Sequence, residues 1–219
     1  MASLSWIARK GYAVALAEYR PSEAAPFPAQ IQDAKTAIRF LRKNAAEYKI
    51  NPNQVAVWGD SSGGHTAVMA GLTWQEKELD TELFGEYSCQ VNGIIDYYAP
   101  TDISQMNKAH STMDHIGPQS PEGLLIGGLN VLENPEKAAP TICMNYVSEQ
   151  VPIPPILIIH GNKDRLVPFE QSILLYNCLK ENGKEAELYQ IEGADHGGPA
   201  FWSHKTLEIV ESFLQKCLP

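Results

Sequence analysis

The sequence predicts an α/β fold, a mainly parallel sheet flanked by helices, on three observations. Strand-like apolar runs alternate with segments of helical periodicity along the 219 residues, the order that sets parallel strands beneath covering helices. Ile156-Leu157-Ile158-Ile159-His160 is apolar nearly throughout and too short for a helix, as a central parallel strand should be. Between Val55 and Leu72, a strand-like run enters Gly59-Asp60-Ser61-Ser62-Gly63 and a small-residue helical segment leaves it.

The elements follow in order. Residues 3–9 read as the tail of a helix closed by Lys10 and Gly11, and Gly11–Ala17 as a buried strand. Pro26 and Pro28 mark a loop. From Ala29 to about Tyr48, Ile31, Ala34, Ile38, Leu41 and Ala45 recur at steps of three and four, an amphipathic helix with one buried stripe. Asn51-Pro52-Asn53 breaks the chain before the strand that leads to Ser61. The helix after Ser61 runs to Leu72 or Thr73, and the acidic stretch Glu76–Glu86 reads as solvated surface. Val91–Tyr98 is the next strand. Residues 103–150 have poor periodicity and carry His110 and His115, which predicts an inserted loop or small helical cap over the strand ends, within a single domain spanning 1–219. A helix with Ile173, Leu174, Tyr176, Cys178 and Leu179 stops at Gly183, and Ala186–Ile191 is the last strand. The closing helix buries Leu207, Val210, Phe213 or Leu214, and Cys217.

Composition narrows the functions. A net charge of −9 argues against a nucleic-acid or anionic-membrane surface, which needs clustered Lys and Arg. No apolar run approaches the roughly 18 residues of a membrane span. The start, Met1-Ala2-Ser3-Leu4-Ser5-Trp6, shows no signal-peptide pattern, so a cytoplasmic location is expected. Cys89, Cys143, Cys178 and Cys217 lie far apart without a Cys-x-x-Cys pair, excluding common zinc and redox motifs.

Ser61 carries the chemistry. A serine on a sharp strand-to-helix turn sits under crowded backbone, and glycines two before and two after it remove the Cβ atoms that would clash. The helix that follows aims its N-terminal amides at developing negative charge. The short pattern alone also fits a surface turn. In a parallel sheet, however, the loops at the carboxyl ends of the strands gather on one edge, and here they bring Ser61, Asp164 and His196. The first histidine is His65, downstream of the serine. Chymotrypsin-like and subtilisin-like orders both need a histidine upstream, which leaves Ser, Asp, His. Asp102 also ends a strand and is a second candidate acid. Asp195 and His160 read as a loop residue and a strand-closing structural residue. His65 reads as structural, His110 and His115 as surface residues of the cap, and Trp202 as a rim aromatic able to wall an acyl pocket.

The motifs Tyr19-Arg20-Pro21, Pro26-Phe27-Pro28-Ala29-Gln30, Asp33, Gly59-Asp60-Ser61-Ser62-Gly63-Gly64-His65, Pro100-Thr101-Asp102, His160-Gly161-x-x-Asp164-x-x-Val167-Pro168 and Asp195-His196-Gly197 cover nearly the whole chain. With them the sequence resembles the α/β-hydrolases of esterase/lipase type, near the bacterial carbohydrate-esterase and feruloyl-esterase-like members. The resemblance implies Ser61 as nucleophile, His196 as general base and then acid, and Asp164 as the group that orients the imidazole. It implies the Ser62 backbone N–H as an oxyanion donor, worth about 3 kcal/mol where single donors have been removed. The implied reaction is hydrolysis of short-chain, acetyl-type or feruloyl esters, those on carbohydrate among the candidates, with no metal or organic cofactor. A serine peptidase of the same fold and a catalytically weak hydrolase-like binding or assembly module are the alternatives.

The resemblance also implies an upstream His-Gly-Gly oxyanion loop and two or three further strands, neither of which this sequence holds; the expected fold is an N-terminally truncated α/β-hydrolase. Crossover helices should then cover one sheet face, leaving the other to residues 3–9 and the C-terminal helix. An uncovered face or edge is costly. Either the flanking strands close up or a second copy of the chain covers the gap.

Overall fold

A computed structural model describes residues 2–219. In chain order, helices α1 (Ala2–Arg9), α2 (Ala29–Lys43) and α3 (Ala45–Tyr48) precede strand β1 (Ala56–Asp60) and helix α4 (Ser62–Leu72). Strand β2 (Gly93–Tyr97), short helices α5 (Pro121–Leu125) and α6 (Pro135–Ala138), and strand β3 (Ile156–Gly161) follow. Helix α7 (Glu170–Glu181), strand β4 (Ala186–Ile191) and helix α8 (His204–Cys217) end the chain. The four strands are all parallel and lie in the order β1-β2-β3-β4, so each pairs with its neighbour in sequence. None of the described helices is long and apolar enough to cross a membrane.

The period-two alternation of the central strands divides the core in two. Ile94, Ile156 and Ile158 face Ile31, Ile38, Val68, Met69, Leu72, Leu175 and Leu179 of α2, α4 and α7. Ile95, Tyr97, Leu157 and Ile159 point the other way, against Ile7 of α1 and Val210, Phe213, Leu214 and Cys217 of α8. Each fully buried aliphatic side chain stabilises the fold by about 1.5–3 kcal/mol. The division of helices between the faces is the expected one.

Four expectations change. The long helix from Ala29 is interrupted at Asn44, and its buried stripe includes Lys35 and Arg39. A buried cation needs acceptors: Lys35 Nζ donates to the Thr73 carbonyl at 2.6 Å, and Arg39 forks onto Asp80 at 2.5 and 2.6 Å. Part of the acidic stretch is therefore an anchor rather than solvated surface. Gly11–Ala17 is not a buried strand. It is extended, mostly exposed chain; Leu16 is 71% and Val14 41% exposed. A strand exists only with a partner ladder, and no described strand pairs with this run. Residues 103–150 form 3₁₀ turns around α5 and α6 with a small apolar cluster of Ile103, Ile126, Val131 and Ala138. His115 in this segment is buried, not at the surface.

Candidate active site

Ser61 ends the turn after β1 with φ 53° and ψ −122°, a left-handed backbone that costs a non-glycine residue about 1–3 kcal/mol. Its N–H is held by the Tyr97 carbonyl at 2.8 Å and its carbonyl accepts from His65 N–H at 3.1 Å. Gly59 and Gly64 make the turn possible, whereas a Cβ on Gly63, the glycine two after the serine, would meet nothing nearer than 3.7 Å. A Cβ on Gly59 would stand 2.0 Å from the Gly63 carbonyl oxygen, an impossible distance, and one on Gly64 would come within 3.0 Å of Ala99 and Asp96. Ser62 opens α4, so its N–H has no carbonyl one turn earlier to donate to and stays available.

The loops after β3 and β4 bring the two partners. His196 Nε2 lies 2.9 Å from Ser61 Oγ, and His196 Nδ1 lies 2.7 Å from Asp164 Oδ2. The sequence-predicted set of Ser61, Ser62, Asp164 and His196 is thus brought together on one sheet edge. The Asp164 side chain is fully buried and that of His196 is 17% exposed, so the acid is sealed while the imidazole edge meets solvent. Asp164 Oδ1 accepts from Leu166 and Val167 N–H, both at 2.9 Å. Burial alone would raise this carboxyl; the hydrogen bonds from His160 and His196 outweigh it and hold Asp164 well below the usual carboxylate range.

Other candidates find different partners. Asp102 is committed to Ser104 N–H, Ser104 Oγ and Gln105 Nε2 at 3.0, 2.6 and 2.5 Å, which removes it as an alternative acid. Asp195 ties the acid loop to the histidine loop. It accepts from Arg165 N–H at 3.0 Å and His196 N–H at 2.9 Å and pairs with the Arg165 guanidinium, which draws its carboxyl down to about 2. His65 is buried beneath the turn, its Nε2 donating to the Thr141 carbonyl at 2.8 Å; burial lowers its pKa. Trp202 stacks on Trp58 with ring centroids 5.5 Å apart and joins the α8-side core.

Three residues near the site were missed. Tyr98 follows β2 with φ 45°, strained for an aromatic residue. Its ring meets the His196 imidazole edge-on at 4.7 Å and its hydroxyl donates to Asp60 at 3.2 Å; burial first, and Asp60 second, push the phenol upward. Tyr19 reaches the turn from the exposed segment and places its hydroxyl 3.0 Å from Ser62 Oγ. His115 Nε2 donates to the Leu166 carbonyl at 2.9 Å, bracing the acid loop from the 103–150 segment. Its Nδ1 is 2.9 Å from Glu122 Oε1 without hydrogen-bond alignment, a contact of charge. Burial lowers the His115 pKa, and Glu122, the Leu166 carbonyl and Asp114 together more than offset it, for a net upward shift. Only Tyr19 carried a sequence signal, its place in Tyr-Arg-Pro.

The BD-FAE family model matches residues 1–179, which include the serine turn and the acid loop. The chain belongs to the BD-FAE family. Among curated proteins, this BD-FAE chain is 26% identical to the esterase LipQ of Mycobacterium tuberculosis over 219 residues, 96% of its own length and 49% of the relative's. It is 25% identical to an acetylxylan esterase of Xylanibacter ruminicola, covering 88% of itself and 35% of that protein. The chain therefore spans about half the length, or less, of the curated relatives it matches. Among solved structures, a truncated carbohydrate esterase from gut microbiota superposes with a TM-score of 0.81 at 32% identity, over 91% of this chain and 72% of that one. A propionate-bound esterase of Thermogutta terrifontis gives 0.67 at 27% identity, over 90% and 66%. These neighbours place the parallel sheet within the α/β-hydrolase fold.

Proposed function

We propose that this chain is a serine carboxylesterase acting on short-chain, acetyl-type esters, carried on carbohydrate, through a Ser61–His196–Asp164 acyl-enzyme mechanism. The carrying observation is the unbroken relay from Ser61 Oγ through both imidazole nitrogens to a buried, ionised carboxylate, at 2.9 and 2.7 Å. Ser61 Oγ attacks the ester carbonyl as His196 Nε2 takes its proton. The Ser62 N–H at the start of α4 meets the oxyanion. His196 then returns the proton to the leaving alcohol, and water releases the acyl group by the reverse sequence. Asp164 fixes the Nδ1–H tautomer and faces the imidazolium as it forms. The relatives' names, an acetylxylan esterase and carbohydrate esterases among them, favour ester over peptide and acetyl on carbohydrate over free lipid. In this reading residues 1–219 are one domain and 103–150 its cap.

The deciding assay is hydrolysis of p-nitrophenyl acetate and butyrate by the wild type and by Ser61→Ala. Loss in the variant, with acetate the faster substrate of the wild type, supports the reading; equal background rates in both defeat it. Self-association is the second part of the proposal, carried by the exposed Val14 and Leu16 on an extended run that no described strand pairs. Light scattering at micromolar concentration should give a mass above the monomer, and a clean monomer sinks that part.

A further inference from the structure

The histidine one residue before the end of β3 is more than a satisfied core residue. His160 is 0% exposed, and its Nε2 lies 3.1 Å from Asp164 Oδ2, the same oxygen that receives His196. We infer that His160, as a neutral imidazole protonated on Nε2, is a positioning residue that locks the Asp164 carboxylate in the plane His196 needs. This inference rests on the proposed relay and adds a member to it.

The tautomer follows from what surrounds the ring. Nε2 faces two oxygens, Asp164 Oδ2 and the Val167 carbonyl at 3.0 Å. A carbonyl cannot donate and neither can an ionised carboxylate, so Nε2 carries the hydrogen. Nδ1 faces Ser172 Oγ at 2.7 Å, a hydroxyl that can donate to a bare nitrogen or accept from a protonated one. The ring edges are closed by Phe169 and Tyr98, centroids 5.5 and 6.2 Å away, which offer no charge. A doubly protonated ring would bury a net cation in this dry setting and cancel the Asp164 charge before His196 could use it. With Ser172 donating to Nδ1, every polar atom of the ring is satisfied and the net charge stays on Asp164. Asp96 on neighbouring β2 is the other acidic group within electrostatic reach.

The consequence is geometric. Asp164 now receives four N–H donors, from Leu166, Val167, His160 and His196, which fill the lone-pair positions of a carboxylate. The carboxylate cannot rotate toward or away from His196 without abandoning one of them. Three of the four come from the strand end and loop of β3, so the acid is fixed before the histidine loop docks. His160 also draws part of the carboxylate's field. Without that donor, Asp164 acts more strongly on His196, and the imidazole should hold its proton to higher pH.

The test compares His160→Leu with His160→Gln, whose amide N–H can still reach Asp164 and Val167. Rates are normalised to active sites titrated with an organophosphate. His160→Leu should lose about tenfold in kcat on p-nitrophenyl acetate with KM within twofold, and its acidic limb in kcat/KM should move to higher pH; His160→Gln should restore both. A limb that stays in place in His160→Leu, with activity falling only as the folded fraction falls, overturns the inference. Should the leucine variant not fold, nitrogen chemical shifts of the wild-type histidines decide. His160 should carry hydrogen on Nε2 alone at neutral pH, and a ring protonated on Nδ1 defeats the assignment. The nitrogen shifts need no turnover, so a wild type no faster than Ser61→Ala would refute the esterase reading and leave this measurement decisive.

Discussion

Two carboxylates, one on β2 and one just after its neighbour β3, meet opposite treatment. Asp164, after β3, is surrounded by four donors and stays ionised. Asp96, on β2, is also sealed, but among the described residues its Oδ1 accepts only from Ala99 N–H at 2.9 Å and its Oδ2 meets no hydrogen-bond partner. Burial therefore dominates and pushes Asp96 up to about 6. Depth alone does not set the charge of a buried acid; the number of donors aimed at it does.

The largest effect should come from removing the charge at Asp164. Asp164→Asn should cut kcat by about 10³ to 10⁴, because the amide leaves His196 in the wrong tautomer and its imidazolium unopposed. A loss below tenfold would break the contrast between the two acids. Asp96→Asn should act in the other direction, on stability rather than rate. The Asp96 proton is bound more tightly in the fold than in the unfolded chain, so stability falls as pH rises from about 4 to about 6 and stays low above that. The shift from 3.8 to about 6 corresponds to a cost of about 3 kcal/mol at neutral pH. The asparagine variant should recover about 1–3 kcal/mol above pH 6 in urea unfolding and flatten the profile between about pH 4 and 6, with activity on p-nitrophenyl acetate kept. No gain at pH 7 would mean that a partner for Oδ2 exists in solution. Asp195 offers the smallest effect. Its carboxyl is drawn down as Asp164's is, yet it lies in solvent, where such pairs contribute little. Asp195→Asn should change the urea midpoint negligibly and kcat by no more than a few-fold, through looser docking of the histidine loop.

The relay was legible because its three members follow strand ends and chain order excluded rival arrangements; loop position and order are written directly in sequence. The strand β3 was legible as a short continuous apolar run, α4 as the small-residue segment leaving the serine turn, and α7 and α8 by the helical spacing of their apolar residues. The supporting shell was not. Lys35 and Arg39 fall on an apolar stripe, and only the fold shows the carbonyls and Asp80 that accept them. His115 and Tyr98 act through contacts made across distant loops, which no local pattern encodes. Gly11–Ala17 erred the other way: its apolar run has the composition of a strand, but hydrogen-bonded pairing is a property of neighbours, and composition is silent about them.

The strand order β1-β2-β3-β4 has a consequence for how the molecule comes into being. Each ladder joins strands adjacent in sequence, so the sheet can be laid down in the direction of synthesis, each new strand adding to the edge left by the one before. The serine follows β1 and its histidine follows β4. A nascent chain thus carries Ser61 without its histidine until β4 and the loop after it are in place, and under the proposed function turnover reports that β4 has joined the sheet.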